Sequence, residues 1–355
     1  MLAAAGSLLV GLYTGLVRMG VLMPGAVDLN SMLHGPLMIN GFLGTLISLE
    51  RAAALRKYWT WAAPVCMALS TVLLLAGQPM AGSFFLIAGS LVLVAMLFYL
   101  LKLQKAAHHL IMLFGGMSLL IGNILFVMNY PIYELILWWV GFPVLTIFGE
   151  RLELNRVMRP PQRAVTLFTG LIILWFITAA MLHLDRSLGW YGVALLFIVI
   201  AAWMLRYDVA RKTIRSTEWI RYSAICMIFA YGWLILTGIY GLFTGLPVAG
   251  SSYDALLHMI FVGFVFSMIF AHAAVIIPSL TGLHVPYHRY FYLPLVLLHG
   301  FLLIRVLGDV VWLPDLQTVG SYGNLAAIIL FFGGIITRLV QSVAVKKVTR
   351  PAHRV

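Results

Sequence analysis

The chain has 355 residues, of which 63% are hydrophobic and only 10% are charged, and its mean hydropathy is +1.02. Soluble domains carry roughly 45–50% apolar and about 25% charged residues, so this composition excludes an ordinary soluble globular protein. The apolar runs are roughly 20 residues long, which favours membrane-crossing helices over the shorter alternating strands of a β-barrel. Cys66 and Cys226 lie inside such runs and indicate neither a disulfide nor a metal site.

Twelve apolar runs, separated by charged residues or by Pro, Gly and Asn, predict an all-α polytopic membrane protein with about twelve transmembrane helices. The weakest separator is the segment 129–131, Asn-Tyr-Pro, where a tight turn is expected. The first run lacks a basic segment ahead of it and a clear cleavage site, so we expect a retained helix. The predicted spans cover residues 3–23, 31–49, 59–77, 82–101, 108–128, 131–149, 164–184, 188–205, 219–243, 254–277, 290–311 and 321–341.

The positions of Lys and Arg predict the orientation. If the N-terminus is cytoplasmic, all but Arg18, Arg186 and Arg305 of the 23 basic residues fall in inside segments. Both termini are therefore expected on the cytoplasmic side of the membrane. The same distribution explains the net charge of +12 without a nucleic-acid partner. No loop is long enough for a soluble domain, so residues 1–355 are expected to form a single transmembrane domain.

Three segments suggest an internal repeat. Residues 41–51 and 141–151 share Gly, Phe, Ile, Glu and Arg at the same offsets, and residues 263–272 keep Gly, Phe and Ile with His272 in place of Glu. The segments lie four runs apart, which predicts three four-helix units about a pseudo-threefold axis. The units would span roughly residues 1–105, 106–215 and 216–345. Alternatively, the small residues serve only close helix packing.

Two histidines lie at matching depths in the predicted bundle. His34 and His258 each lie about one turn below the outer end of a run, and both runs cross in the same direction. Two neutral imidazoles at one depth can ligate a haem iron from both sides. Arg18 and Arg305, in the outer halves of their runs, could pair with haem propionates. In the alternative interpretation, each histidine bonds a neighbouring helix and Arg305 pairs with Asp309 one turn away.

Two further histidines are candidate metal ligands. His272 lies 14 residues after His258, close to four α-helical turns, so both are expected on roughly one face. At the depth of Glu50 and Glu150, His272 could belong to a second metal site or to a proton entry point. The simpler alternative there is an interfacial network in which each Glu pairs with the Arg that follows it. His299, near mid-membrane, is either a ligand or a helix–helix hydrogen bonder. Adjacent His108 and His109 should face different directions and are not expected to share a site.

The histidines on the second and tenth of twelve spans resemble the haem-copper oxidase catalytic subunit, in which those helices hold a low-spin haem. His34 and His258 occupy the matching places. The copper-ligating histidines that this family carries on its sixth and seventh helices have no counterpart here, apart from His183 at the end of span seven. The resemblance therefore implies neither a copper–haem centre nor dioxygen reduction.

The segment 34–42, His-Gly-Pro-Leu-Met-Ile-Asn-Gly-Phe, and the run from His258 through His272 to Gly282 resemble the NnrS family. Members are twelve-span bacterial proteins linked to haem, copper and nitric-oxide stress. The Gly-His-Thr-Gly motif of that family is only echoed here, at residues 271–274 and 279–282. The resemblance implies a haem, of b type, a redox or nitric-oxide-related role in the lipid bilayer, and electron-transfer or respiratory partner proteins. Whether the chain is an enzyme stays open.

Two other functions compete with haem binding. Twelve helices with internal repeats also describe many transporters, although only Pro143 interrupts a repeat segment here. A non-catalytic assembly subunit of a respiratory complex would likewise account for histidines without chemistry of their own. The sequence contains no Walker A, GxSxG, HExxH or dinucleotide-binding motif, so soluble catalytic machinery of those kinds is excluded.

Overall fold

The computed structural model describes residues 1–20 and 31–348, with side chains described up to residue 343, and within this part all regular secondary structure is helical. Among the described residues, eleven helices are long and apolar enough to cross a membrane. In chain order the helices are α1 (Leu2–Arg18), α2 (Ser31–Leu55), α3 (Tyr58–Leu75), α4 (Pro79–Leu103), α5 (Ala107–Val127), α6 (Ile132–Met158), α7 (Gln162–Met181), α8 (Arg186–Tyr207), α9 (Glu218–Thr244), α10 (Ser251–Thr281), α11 (Arg289–Val310) and α12 (Pro314–Val348).

Each of the twelve predicted runs corresponds to one of these helices, with ends shifted by several residues. The first differs most, because α1 has 17 residues and is shorter than the other eleven, and residues 21–30 of the predicted turn region lie outside the described residues. A long apolar helical chain is therefore established, whereas twelve as the number of crossings and the cytoplasmic position of the termini stay predictions.

The weakest predicted separator is a turn in the structure. Asn129 adopts φ 61°, in the left-handed region that Asn tolerates better than most residues. Pro131 precedes the first residue of α6, where its fixed φ suits a helix start. The boundary between α5 and α6 thus follows from two local preferences, and the sequence interpretation of this segment is confirmed.

The described chain forms two compact units, Met1–Val193 and Ala194–Val355, whose boundary falls inside α8. In the first unit, glycines allow α5 and α6 to approach closely. A Cβ atom on Gly115 would lie 3.0 Å from the carbonyl oxygen of Phe142. In the second unit, a Cβ on Gly320 of α12 would lie 2.7 Å from Cα of Arg305 on α11. Van der Waals packing against small residues is the usual way in which membrane helices associate.

Two helices contain a π-helical stretch. Leu37–Gly44 in α2 and Met259–Phe266 in α10 are both eight residues long. Each begins four residues before the glycine of a Gly-Phe pair, so the two stretches occupy the same register of the sequence repeat. The third repeat segment, in α6, stays α-helical around Pro143. π-Helical turns are rare and concentrate at functional sites, so these stretches direct attention to the histidines that precede them.

Candidate functional site

His34 lies in the first turn of α2, and its side chain forms a hydrogen bond with the backbone of α1. Its Nδ1 donates to the carbonyl oxygen of Gly11 over 2.7 Å. Gly15, one turn further along α1, leaves room for the ring, since a Cβ there would lie 2.9 Å from Cε1 of His34. A carbonyl oxygen only accepts hydrogen bonds, so the network assigns the proton to Nδ1 and the lone pair of the neutral ring to Nε2.

His258 has the same tautomer in the second unit. Its Nδ1 donates to the carbonyl oxygen of Asp254 over 2.8 Å, one turn back on α10. The carboxylate of Asp254 also approaches this nitrogen, with Oδ1 at 3.3 Å. The proton again belongs on Nδ1, which leaves the lone pair on Nε2.

Asp254 and Arg305 form a bidentate ion pair between α10 and α11. Nε of Arg305 donates to Oδ2 over 2.9 Å and Nη2 donates to Oδ1 over 3.0 Å. The Arg305 side chain is only 9% exposed. The suggested pairing of Arg305 with Asp309 on its own helix is wrong, because Nε and Nη2 of Arg305 both bind Asp254 on α10. In this ion pair, Nε and Nη2 of Arg305 are already bound and are not available to a haem propionate. Arg18, the other arginine suggested for a propionate, is exposed at the end of α1.

We call Asp254, His258, Arg305 and Asp309 the Asp254 cluster. Asp309 is almost fully buried, and its Oδ2 has no hydrogen-bond partner. Nearby, Nε2 of Gln317 on α12 donates to Oγ of Ser251 over 3.0 Å, which connects α12 to the start of α10. Ionisable groups inside a membrane protein are costly and usually functional. The cluster is therefore the strongest candidate site in the second unit, and sequence analysis identified only His258 and Arg305 of it as site residues.

His272 and His299 have partners of different kinds. Nδ1 of His272 donates to the carbonyl oxygen of Met268 on its own helix over 2.7 Å. The expected common face with His258 assumed a regular α-helix, but the π-helical stretch between them changes the residues per turn. Nδ1 of His299 accepts the indole N–H of Trp233 over 2.9 Å, which joins α9 to α11. That geometry supports the hydrogen-bonding interpretation of His299 over the ligand interpretation.

A second polar cluster lies at the predicted inner end of the first unit. Arg51 of α2 pairs with Glu150 of α6 through Nη2 and Oε1, and the same Nη2 lies 3.8 Å from Glu50. The pair connects the ends of two repeat segments, and Glu50 also contacts the Arg that follows it, as expected. Contact between helix ends, rather than sequence adjacency, selects this partner.

The two adjacent histidines at the start of α5 are closer than expected. The ring centroids of His108 and His109 are 4.1 Å apart. Nη2 of Arg156 donates to Nδ1 of His108 over 2.9 Å. A guanidinium at this distance opposes the binding of a metal cation by electrostatic repulsion. We therefore interpret His108 and His109 as part of the polar network at this end of the unit.

A buried amide network lies beside His34 in the first unit. Asn123 donates to Oδ1 of Asn40, in the π-helical stretch, over 2.8 Å, and accepts the indole N–H of Trp139 over 3.0 Å. Ring atoms of Trp139 would lie 3.5 Å from a Cβ on Gly35, so the network borders the turn that carries His34. Hydrogen bonds between buried amides fix the relative rotation of α2, α5 and α6.

Replacing Asn123 with alanine is expected to lower the free energy of unfolding by about 1–3 kcal/mol, because the Asn40 oxygen and the Trp139 N–H would lose their partner while buried. Chemical unfolding in mixed micelles measures the change. Ser118→Ala is the matched control on the same helix, since the buried Ser118 hydroxyl makes no hydrogen bond. Equal effects of the two substitutions would contradict the importance of the amide network.

Within the described residues, no group of three or more His, Cys, Asp or Glu side chains is placed to hold a metal ion. This finding concerns sites built from protein ligands alone, since a haem macrocycle needs only axial ligands from the chain. One family model, described as a domain of unknown function (DUF8744), matches residues 1–340. No curated protein and no solved structure matches the chain.

Proposed function

The chain belongs to the DUF8744 family, whose description names no function, and we propose from its own residues that it is a haem-binding membrane protein with a redox or nitric-oxide-related role. His34 and His258 would ligate the iron through Nε2. The supporting observation is their shared tautomer, with each Nδ1 donating to a backbone carbonyl oxygen. The resemblance to the NnrS family and a location in the bacterial cytoplasmic membrane, with both termini inside, are parts of the same proposal.

The hydrogen bonds of the two histidines fit iron ligation. A histidine that ligates a metal almost always donates its other ring N–H to a carbonyl or carboxylate oxygen, which fixes the ring and raises the basicity of the ligating nitrogen. His34 has the Gly11 carbonyl for this purpose, and His258 has both the carbonyl and the carboxylate of Asp254. In the second unit, Arg305 holds the Asp254 carboxylate in place through two hydrogen bonds.

Two histidine ligands favour electron transfer or sensing over substrate turnover. A b-type haem would supply one-electron chemistry, and two histidine ligands from the chain would leave its iron no open position for a substrate. The contribution of the chain is then to orient the imidazoles and to set the electrostatic surroundings.

The decisive experiment is the optical spectrum of the purified protein together with its haem content. We expect a Soret band of low-spin haem in the unchanged protein, and its shift or loss in both His34→Ala and His258→Ala. His284→Ala is the control, because His284 is an exposed loop residue. No Soret band in protein expressed with adequate haem supply, or a band unchanged in both ligand variants, would overturn the proposal.

Transport of a polar solute is the second candidate function, and one observation favours it. The Asp254–Arg305 ion pair joins α11 to α10, which has a π-helical interruption, and α2 carries an interruption in the matching register. Interrupted helices at corresponding positions of repeats are where many transporters bind substrate. Solute uptake into proteoliposomes that is lost in a combined Asp254→Asn and Arg305→Gln variant, in a preparation free of haem, would support transport instead.

A further inference from the structure

A cavity of about 300 Å³ opens in the second unit where α9 and α11 begin. Its volume equals about ten water molecules in the liquid. Six residues from α9, from the segment before it, from the loop that precedes α11 and from α11 itself line it: Thr217, Glu218, Arg221, Ile225, Tyr287 and Tyr292. The Asp254 cluster and the other histidines discussed above are not among them. The cavity is therefore a separate feature of this unit.

Aromatic packing fixes the walls of the cavity. The indole N–H of Trp219 donates to the carbonyl oxygen of Val285 over 2.9 Å, which ties the loop before α11 to the first turn of α9. The Trp219 ring also packs edge-on against Tyr287, with centroids 5.7 Å apart, and lies 4.7 Å from the ring of Phe291. Because these contacts hold the loop against α9, the cavity is preformed rather than created by a ligand.

Two opposite charges line this cavity without neutralising each other. Glu218 and Arg221 are exposed and lie one turn apart on α9, at a spacing that often produces an ion pair. Within the described residues, however, neither side chain makes a salt bridge or a side-chain hydrogen bond. Both charges are consequently available to a ligand that carries a positive and a negative group a few ångströms apart.

We propose that this cavity binds the head group of a zwitterionic phospholipid with a phosphate and a primary ammonium, as in phosphatidylethanolamine. Arg221 pairs with the phosphate, since guanidinium groups bind phosphate oxygens bidentately. Glu218 accepts hydrogen bonds from the ammonium. The cavity lies at the ends of two candidate membrane-spanning helices, the level at which head groups and interfacial tyrosines meet in a bilayer. The acyl chains would then extend along the apolar surface of α9.

The charge pattern also excludes the commonest competing head groups. A purely anionic head group, such as phosphatidylglycerol, places no cation against the Glu218 carboxylate, which then repels it. The quaternary ammonium of phosphatidylcholine has no N–H to donate to Glu218. Selectivity for the primary amine is therefore a direct consequence of an acidic residue beside the phosphate-binding arginine.

Native mass spectrometry of the detergent-purified full-length protein, exchanged into equal amounts of the three lipids, tests this inference. We expect phosphatidylethanolamine to be retained about tenfold or more over the other two, the size of one charge-assisted hydrogen bond. Arg221→Gln should abolish retention, and Glu218→Gln should remove the preference over phosphatidylcholine while keeping binding. Arg215→Gln, an exposed arginine outside the cavity lining, is the control.

Three results would overturn the inference. Equal retention of the three lipids by the unchanged protein would contradict the proposed selectivity. Unchanged retention in Arg221→Gln would show that the lipid does not bind at this cavity. Binding of free phosphoethanolamine as strong as that of the lipid would assign a soluble ligand instead of a membrane component. None of these outcomes depends on haem, because lipid retention is measured by mass on protein with or without a Soret band.

Discussion

Replacing Asp254 with alanine is expected to lower the free energy of unfolding by about 3 kcal/mol, the largest single effect that the structure predicts outside the apolar core. The substitution leaves Arg305 charged, unpaired and only 9% exposed between α10 and α11. The estimate takes the lower end of the range for broken buried ion pairs, because the Asp254 side chain is 36% exposed and solvent can partly replace it. Unfolding in mixed micelles, followed by circular dichroism, measures the loss.

A double variant separates the unpaired charge from the lost contact. Asp254→Asn combined with Arg305→Gln removes both charges, so we expect it to be more stable than Asp254→Ala alone. Asp315→Asn, at an exposed acid in the first turn of α12, is the control and should change stability by less than about 0.5 kcal/mol. A double variant as unstable as the single alanine variant would show that the ion pair is not what Asp254 contributes.

Replacing Gly15 with valine is expected to displace His34 and to destabilise the first unit by about 1–3 kcal/mol, the usual cost of overpacking. A Cβ at this position would lie 2.9 Å from Cε1 and 3.0 Å from Nδ1 of His34. The ring would have to leave the Gly11 carbonyl oxygen, to which its Nδ1 is bonded over 2.7 Å. If His34 ligates haem, the Soret band should shift as well, although Gly15 itself is not a ligand.

Gly6→Val on the same helix is the matched control. A Cβ on Gly6 meets no atom within 4 Å, so the substitution introduces the same side chain into α1 without a clash. Removing a glycine from a helix interior should leave stability unchanged or slightly higher. An equal loss of stability in the two variants would show that replacing a glycine of α1 with valine is costly in itself, and that contact with His34 is not the reason for the effect at Gly15.

The helices of this chain follow closely from its sequence because the bilayer imposes both a length and an apolar composition. Every predicted run has a helical counterpart, and the turn at Asn129 follows from local residue preferences. Helix ends are less well predicted: α1 ends at Arg18, whereas the apolar run continues to about residue 23. An apolar composition indicates which segment can form a membrane helix, but it does not determine at which residue the helix ends.

The partners of the charged residues could not be predicted in the same way. Asp254 and Arg305 are 51 residues apart, and Arg51 and Glu150 are 99 residues apart. Sequence spacing can only propose partners on the same helix or in the adjacent position, which is why Asp309 was the expected partner of Arg305 and Glu50 that of Arg51. Glu50 does contact Arg51, at 3.8 Å, but the closer partner Glu150 was not expected. The actual pairs depend on how neighbouring helices are rotated about their axes, a property set by many packed side chains together.

The cavity at the start of α9 was also absent from the sequence interpretation. Glu218 and Arg221 resemble an ordinary charged helix start, and nothing in their spacing indicates that they stay unpaired. Tyr287 and Tyr292 join them only because Trp219 holds the loop before α11 in place. The signal that could have identified the region is the density of aromatic residues between Tyr287 and Tyr292, which is high for a short interfacial loop.

The π-helical stretches make the angular position of each histidine depend on residue count. An α-helix advances about 100° per residue and a wider π-helical turn advances less, so deleting one residue between Leu37 and Gly44 would rotate the preceding turn about the helix axis by somewhat less than about 100°. His34 would then face away from Gly11, while the Arg51 end of α2 kept its position. In such a helix, a single-residue insertion or deletion rotates His34 about the helix axis relative to Arg51. The number of residues between His34 and Arg51 therefore matters as much for the site as the identity of either residue.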